Sequence, residues 1–251
     1  MIYNLFKFLY KVILLIDLLL ITFILLIACF LPYSLRPISK LVRWIFVRWS
    51  HAFKRFLGVE LIVHQHHQNP LPKQYIVIAN HPSIFEDIGM PMTFDAHFLG
   101  KAEVAKWPVV GRISRGIGCI FVQREDKDSR LAAREALAQG IKDGLNIGIF
   151  PEGGCKGRRI YTPFTTGAFD LSLQTGVPII PVFLHYEAAE TFEWLVGNGA
   201  EQVWKILTSR FATRANYHVY DPLYPSQFKH RDHYRTHVES LFLKWQEKHL
   251  D

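Results

Sequence analysis

The sequence predicts an α/β domain with a central mixed, largely parallel sheet flanked by helices, preceded by an N-terminal membrane helical segment. Three observations predict it. From Gly58 onward, short apolar runs alternate with segments of helical period. Glycine and proline bound several of these runs, as expected of residues that punctuate strands and helices. Ahead of them, residues 12–32 form a nearly unbroken apolar stretch. The chain therefore divides into residues 1–57, an anchor with a basic amphipathic helix, and residues 58–251, an α/β domain.

Residues 12–32 read VILLIDLLLITFILLIACFLP, about the ~20 apolar residues needed to cross a hydrocarbon core. Asp17 is the only charge. The run is too long for a typical signal-peptide core and lacks a clear small-x-small cleavage site, so a retained anchor is expected. Asp17 lies near its start, where a small tilt brings it toward the interface. In residues 36–57, Ile38, Leu41, Val42, Ile45, Phe46, Trp49, Phe53, Phe56 and Leu57 recur at helical spacing. Arg36, Lys40, Arg43, Arg48, Lys54 and Arg55 fall largely between them. This is the pattern of a basic helix at an anionic bilayer surface, with Trp44 and Trp49 as interfacial anchors. It equally suits a helix packed on the domain with a solvated basic face. Cations just after the span place the domain on the cytoplasmic face, as at a bacterial-type inner membrane.

Strands are expected at Val59–His64, Tyr75–Ala79, Phe98–Leu99, Gly118–Gln123, Leu145–Phe150 and Pro178–Phe183. Helices are expected at Asp128–Asp143 and at Gly167–Gln174, the latter closed by Gly176. The polar loop after the first strand carries His64, His66 and His67. No cysteine or carboxylate stands near them at ligand spacing, so they read as surface-loop histidines, and no metal is expected. Val203–Phe211 reads as a helix and Asn216–Tyr220 as an edge strand. Tyr234, Val238, Leu241, Phe242 and Trp245 form a helical stripe suited to core packing.

The net charge of +7 points to an anionic partner: nucleic acid, anionic lipid or a phosphorylated substrate. No nucleic-acid motif is present and the apolar span argues against that class, so no nucleic acid is expected as a partner. The three cysteines are odd in number and widely spaced, which excludes a disulfide framework and a zinc pattern and fits a reducing compartment.

The chemistry centres on Ile76-Val-Ile-Ala-Asn-His-Pro-Ser-Ile-Phe-Glu-Asp87, where an apolar strand ends at a histidine followed by two carboxylates. His81 can take and give a proton near neutral pH, and a carboxylate can fix its tautomer. Ser83 and Glu86 match a capping box, so a helix is expected from Ser83. His81 then sits in a strand-to-helix turn, where α/β proteins bind ligands. Glycines in Phe150-Pro-Glu-Gly-Gly154 let backbone N–H groups approach a ligand. Gly118-Cys-Ile-Phe-Val-Gln-Arg124 delivers an arginine, whose fork suits phosphate oxygens, at a strand's carboxyl end.

Taken in order, Asn80-His81-x-Ser83, Phe98-Leu-Gly-Lys-Ala-Glu103, Pro108-Val-Val-Gly111, Gly118-x-x-Phe121-x-x-Arg124, Phe150-Pro-Glu-Gly153 and Gly176-Val-Pro-Ile-Ile-Pro181 resemble the glycerolipid acyltransferase family. The nearest type is the PlsC-like 1-acylglycerol-3-phosphate O-acyltransferase, and the likeness covers residues 58–185. The resemblance implies the glycerolipid acyltransferase fold, a membrane-associated N-terminal segment and an acyl-CoA or acyl-carrier-protein co-substrate. It implies no cofactor, no metal and no covalent acyl-enzyme. By position, His81 matches the general base and Glu86 its acid partner, which is more often aspartate; Asp87, offset by one, is the second choice. Lys101 and Arg124 match basic positions near the acceptor's phosphate, and Glu152 and Gly153 match the acceptor-binding block. Two departures stand out. Gly154 and Cys155 replace the usual threonine and arginine, and Pro163-Phe164-Thr165 lacks the usual lysine. Lys156, Arg158 and Arg159 stand close enough in sequence to compensate. Cys155 beside Lys156 and Arg158 offers a nucleophile as a rival chemistry.

The function expected is a membrane-associated acyltransferase moving a fatty acyl group to the hydroxyl of a lysolipid, first 1-acylglycerol 3-phosphate, giving phosphatidic acid. The alternatives are a different acceptor, such as a lyso-aminolipid or another lysophospholipid, and a non-catalytic lipid-binding membrane module. Absence of a Gly-x-Ser-x-Gly elbow weakens a serine hydrolase reading.

Overall fold

The computed structural model describes residues 2–30, 36–194, 199–208 and 212–251. The last positions of the expected span (31 and 32) and of the helix expected at 203–211 (209–211) lie outside them, as does the side chain of Ile38. The chain opens with helices α1 (Ile2–Ala28) and α2 (Arg36–Leu57). Strands β1 (Val59–Gln65) and β2 (Ile76–Ala79) follow, then α3 (Glu86–Thr93), β3 (His97–Lys101), α4 (Val110–Gly116) and β4 (Ile120–Val122). Next come α5 (Lys127–Lys142), β5 (Ile147–Ile149), α6 (Gly167–Thr175), β6 (Ile179–Tyr186) and the short α7 (Ala189–Phe192). Helix α8 (Gly199–Thr208), β7 (Thr213–Val219) and α9 (Arg231–Leu250) complete the described elements.

The sheet order is β1-β7-β6-β2-β5-β3-β4. From β6 to β4 the strands are mutually parallel, while β7 is antiparallel to β6 and parallel to β1. This is the mixed, largely parallel sheet that the sequence predicts. One expectation needs correction. The strand expected at the edge, Asn216–Tyr220, falls in β7, which is internal: β1 pairs outside it from Val59↔Thr213 to Gln65↔Val219. His64 is thus a strand residue, so the surface-loop reading of that histidine does not hold.

Strand β2 shows why the sheet is buried on both faces. Ile76, Val77, Ile78 and Ala79 are all fully buried. Successive strand residues point to opposite faces, so Val77 and Ala79 join Phe85, Met90, Phe98, Phe150 and Tyr186 on one face. Ile76 and Ile78 join residues of α5, α6 and α9 on the other, including Tyr234, Val238 and Phe242 from the predicted stripe. Gly176 closes α6 with a φ of +75°, where its backbone N–H bonds the Ser172 carbonyl.

The N-terminal helices pack on each other. Leu18, Ile21, Leu25 and Ala28 of α1 meet Val42, Ile45, Phe46, Trp49 and Ala52 of α2, joined by Ile113 of α4. Arg48 pairs with Asp17 at 2.6 Å, and Trp49 Nε1 donates to Thr22 at 2.9 Å. Asp17 is therefore held by a cation from α2, not by a tilt of α1 alone. Trp49 is buried in the seam and leaves Trp44 as the exposed ring of the expected pair.

Gly148 in β5 has no room for a side chain, because a Cβ there would enter the Phe98 ring. Phe98 in turn packs on Phe150 at 5.7 Å between centroids. A Gly148→Ala variant should lose roughly 1–3 kcal/mol of stability through overpacking, read as a lowered melting temperature in detergent. An unchanged melting temperature would show that the Phe98 layer yields freely.

Candidate active site

Parallel strands all end on one side of a sheet, and four of these ends carry the residues singled out in the sequence. Strand β2 delivers His81, β5 delivers Glu152 and Gly153, β3 ends at Lys101 and β4 leads to Arg124. The sheet order sets them in the sequence β2-β5-β3-β4.

The turn carrying His81 is fastened on every side. Asn80 is buried and its amide continues the sheet pairing: Nδ2 donates to the Leu184 carbonyl at 2.9 Å and Oδ1 accepts from Leu184 N–H at 2.7 Å. Glu152 accepts from His81 N–H at 2.7 Å and from Tyr161 N–H at 2.8 Å. Lys156 N–H donates to the His81 carbonyl at 3.1 Å, and Trp194 N–H to the Pro82 carbonyl at 2.6 Å. The imidazole lies flat against Phe150, with centroids 4.1 Å apart.

On its Nδ1 side, His81 meets Glu86 Oε2 at 3.0 Å. The same oxygen accepts from Ser83 N–H at 2.7 Å, and Oε1 accepts from the Tyr186 hydroxyl. Glu86 is fully buried. Half of the anticipated capping box is present, since Glu86 reaches back to Ser83 N–H. Ser83 Oγ instead accepts from Phe85 N–H at 3.2 Å, and α3 starts at Glu86, not at Ser83. Glu86 thus braces the turn and orients the imidazole together. Asp87 Oδ1 stands 3.9 Å from Nε2, and its side chain is exposed. It stands on the Nε2 side of the ring, beyond hydrogen-bond distance, whereas Glu86 holds Nδ1.

Electrostatics favour a neutral imidazole. Burial pushes the His81 pKa below its ordinary value, Asp87 and Glu152 oppose this, and Arg124 adds to it. Burial also drives Glu86 upward, while the Tyr186 hydroxyl and Ser83 N–H stabilise its charged form. A donor on each side of the carboxylate and an Nδ1–H directed at it leave the Nε2 lone pair free to accept a proton.

A family model described as Acyltransferase matches residues 60–185. The chain belongs to the acyltransferase family. It is similar to the 1-acyl-sn-glycerol-3-phosphate acyltransferase of Neisseria gonorrhoeae, 26% identical over 115 residues covering 46% of this chain and 45% of that one. It is also similar to lysophosphatidylcholine acyltransferase 1 of Rattus norvegicus, 31% identical over 182 residues covering 70% of this chain and 33% of that one. The chain thus spans less than half the length of these curated relatives. The crystal structure of the 1-acyl-sn-glycerophosphate (LPA) acyltransferase PlsC from Thermotoga maritima shares its fold, with a TM-score of 0.67, 20% identity and 96% coverage of each chain.

Within this acyltransferase fold, the expected residues divide by role. His81 and Glu86 meet. Arg124 donates to the Gly153 carbonyl, and Gly153 takes a φ of +75° that favours glycine. Lys101 is half-exposed and pairs with Glu103 at 2.7 Å. Glu152 departs from the expected acceptor contact: it is buried, both oxygens are engaged by backbone N–H groups, and burial pushes its pKa up to about 7. It positions the His81 turn. Of the candidate compensating cations, Arg158 pairs with buried Glu193 at 2.9 Å and Arg159 with Asp251 at 2.5 Å. Lys156 lies over the Tyr161 ring at 4.3 Å. Cys155 loses its appeal as a nucleophile, because burial and then Glu86 and Asp87 push its thiol far up.

Sequence reasoning missed Tyr186 and the role of Asn80. Tyr186 stands 100 residues from Glu86, so no local pattern connects them. The depressed His81 pKa predicts that the acid limb of kcat/KM lies below pH 6.5, the ordinary imidazole value. The base form then persists to lower pH than a solvated histidine allows. A pH–rate profile with an acid limb above that value would contradict the buried, neutral base.

Proposed function

We propose that the protein transfers a fatty acyl group from an acyl-CoA or acyl-carrier-protein thioester to the hydroxyl of a lysolipid. The observation that carries this reading is the buried His81 imidazole, held at Nδ1 by Glu86, with Arg124 near enough to act on its charge. The acceptor hydroxyl gives its proton to Nε2 as its oxygen attacks the thioester carbonyl. The developing imidazolium is stabilised by the Glu86 carboxylate across Nδ1–H. Collapse of the tetrahedral intermediate breaks the carbon–sulfur bond, and the proton passes from Nε2 to the departing thiolate. The ester oxygen comes from the acceptor, so no covalent enzyme intermediate and no cofactor are needed.

The first acceptor in this reading is 1-acylglycerol 3-phosphate, giving phosphatidic acid; Arg124, and Lys101 on leaving Glu103, are the cations that would meet its phosphate. A second reading, another lysolipid, is favoured by a specific observation. The usual threonine, arginine and lysine are absent at Gly154, Cys155 and Thr165, and Arg158 and Arg159 are already engaged by carboxylates. Fewer cations remain for a terminal phosphate. Purified protein with labelled acyl-CoA and acyl-carrier protein should acylate members of a lysolipid panel, read by mass spectrometry. General-base catalysis is worth typically ~10²–10⁴-fold, so His81→Ala should lose activity by that order. Wild-type activity in a folded His81→Ala protein would end this mechanism, and release of free fatty acid alone would make the protein a thioesterase.

The domain sits on the cytoplasmic face of a membrane in this reading. Phe8–Ala28 is long and apolar enough to cross a bilayer. Yet the second half of α1 rests on α2 and α4, with Leu18, Ile21 and Leu25 buried and Leu19, Leu20, Phe23 and Ile27 exposed. One apolar face is offered to lipid, which suits entry into one leaflet. Single cysteines near the start of α1 should react with a membrane-impermeant thiol reagent from the cytoplasmic side of intact vesicles. Labelling only from the opposite side would establish a full crossing.

A further inference from the structure

The histidines set aside in the sequence assemble in space. His66 follows β1, His218 lies in β7 and His249 near the end of α9, and one ligand nitrogen from each lies within 4.8 Å of the others. We propose that His66, His218 and His249 form a binding site for a divalent transition-metal ion of the zinc class, fastening the end of α9 to the β1–β7 edge of the sheet.

The ligand set is imidazole, which suits zinc, copper and nickel over magnesium or calcium. His66 Nε2 lies 2.9 Å from His218 Nδ1, and the His218 and His249 rings stack at 3.8 Å between centroids. Tetrahedral coordination at Zn–N distances of ~2.0–2.1 Å needs nitrogens about 3.3 Å apart, so binding would turn the stacked rings until their nitrogens converge. Ligand imidazoles are ordinarily oriented by partners on their other atoms, and such partners are present. The other nitrogen of His218, Nε2, meets His185 Nε2 at 3.2 Å. His249 Nε2 lies 2.8 Å from the Tyr220 hydroxyl. His64 stacks on His218 at 4.4 Å while its Nε2 contacts Asn216 at 2.9 Å.

Lys248 acts on both His66 and His249, and its charge opposes a cation, so the imidazoles must supply the affinity. His66 is exposed and gives solvent access. The site is separate from His81. On β6, Tyr186 turns to Glu86 while its neighbour His185 turns to the opposite face and His218.

The test uses the full chain in detergent, stripped with chelator and titrated with Zn²⁺ by calorimetry. The expected result is one tight Zn²⁺ per chain and a melting temperature that rises with Zn²⁺ but not with Mg²⁺. The double variant His66→Gln/His249→Gln should bind more than ~100-fold more weakly, beyond what loss of an outer partner costs. Absence of zinc binding to the wild type would overturn the proposal and leave a hydrogen-bonded histidine cluster only. Unchanged affinity in the double variant would overturn it too, placing the ion elsewhere, for example at His230, His233 and His237. Should the double variant not fold, the single variant His66→Gln at an exposed position decides: a markedly weakened Zn²⁺ affinity supports the site, and an unchanged affinity refutes it.

Discussion

The site depends on keeping the Glu86 carboxylate buried. A lone carboxylate without solvent access costs several kcal/mol, and only donors at hydrogen-bond distance offset that cost. Glu86 has them from three directions: His81 Nδ1, Ser83 N–H and the Tyr186 hydroxyl. Hydrogen bonds to charged groups contribute ~1.5–3 kcal/mol each, so these donors offset part of that penalty, while burial still holds the Glu86 pKa well above its ordinary value. The same bonds fix the imidazole tautomer. Burial, orientation and basicity at His81 therefore share one origin, and loosening any donor disturbs all of them.

A second buried carboxylate makes that geometry possible. Glu152 bridges His81 N–H to Tyr161 N–H, tying the end of β2 to the loop that follows β5. Asn80 ties the same turn to β6 on the opposite side. The turn is thus stretched between its two neighbouring strands by side chains that imitate backbone pairing. This explains why an acidic residue in a glycine-rich loop does structural work while the backbone around it remains bent. Gly157, at a φ of +89°, lets the loop pass against the Trp194 carbonyl, where a Cβ would collide.

Most of the architecture was legible because burial on both faces leaves continuous apolar runs, and β2, β5 and β6 are such runs. His81 and Glu86 were legible as a local pair. The register of β7 was not, since an internal strand and an edge strand differ in what lies beyond them, and β1 is over 150 positions away in pairing. Tyr186 was hidden for the same reason. His66, His218 and His249 come from three distant elements, so their spacing in sequence carried no ligand signature. Glu152 was read as an acceptor contact because its motif lies at the site, but only the backbone N–H groups around it distinguish bracing from binding.

The anchor and the proposed acceptor cations meet through one short helix. Helix α4 is the crossover from β3 to β4, the strands that deliver Lys101 and Arg124. On its outer side α4 holds the end of α1: Ile113 joins the α1–α2 core, Arg112 lies over the Phe30 ring at 3.7 Å, and Cys29 fills the space above Gly116. A lysolipid has an apolar tail that belongs in the bilayer and a polar head that must reach the strand ends. In this fold the apolar helix α1 and the strand ends carrying Lys101 and Arg124 are attached to the same seven residues. Their separation is therefore set by packing and not by a flexible linker, which is what the proposed reaction between a membrane lipid and a water-soluble thioester would require.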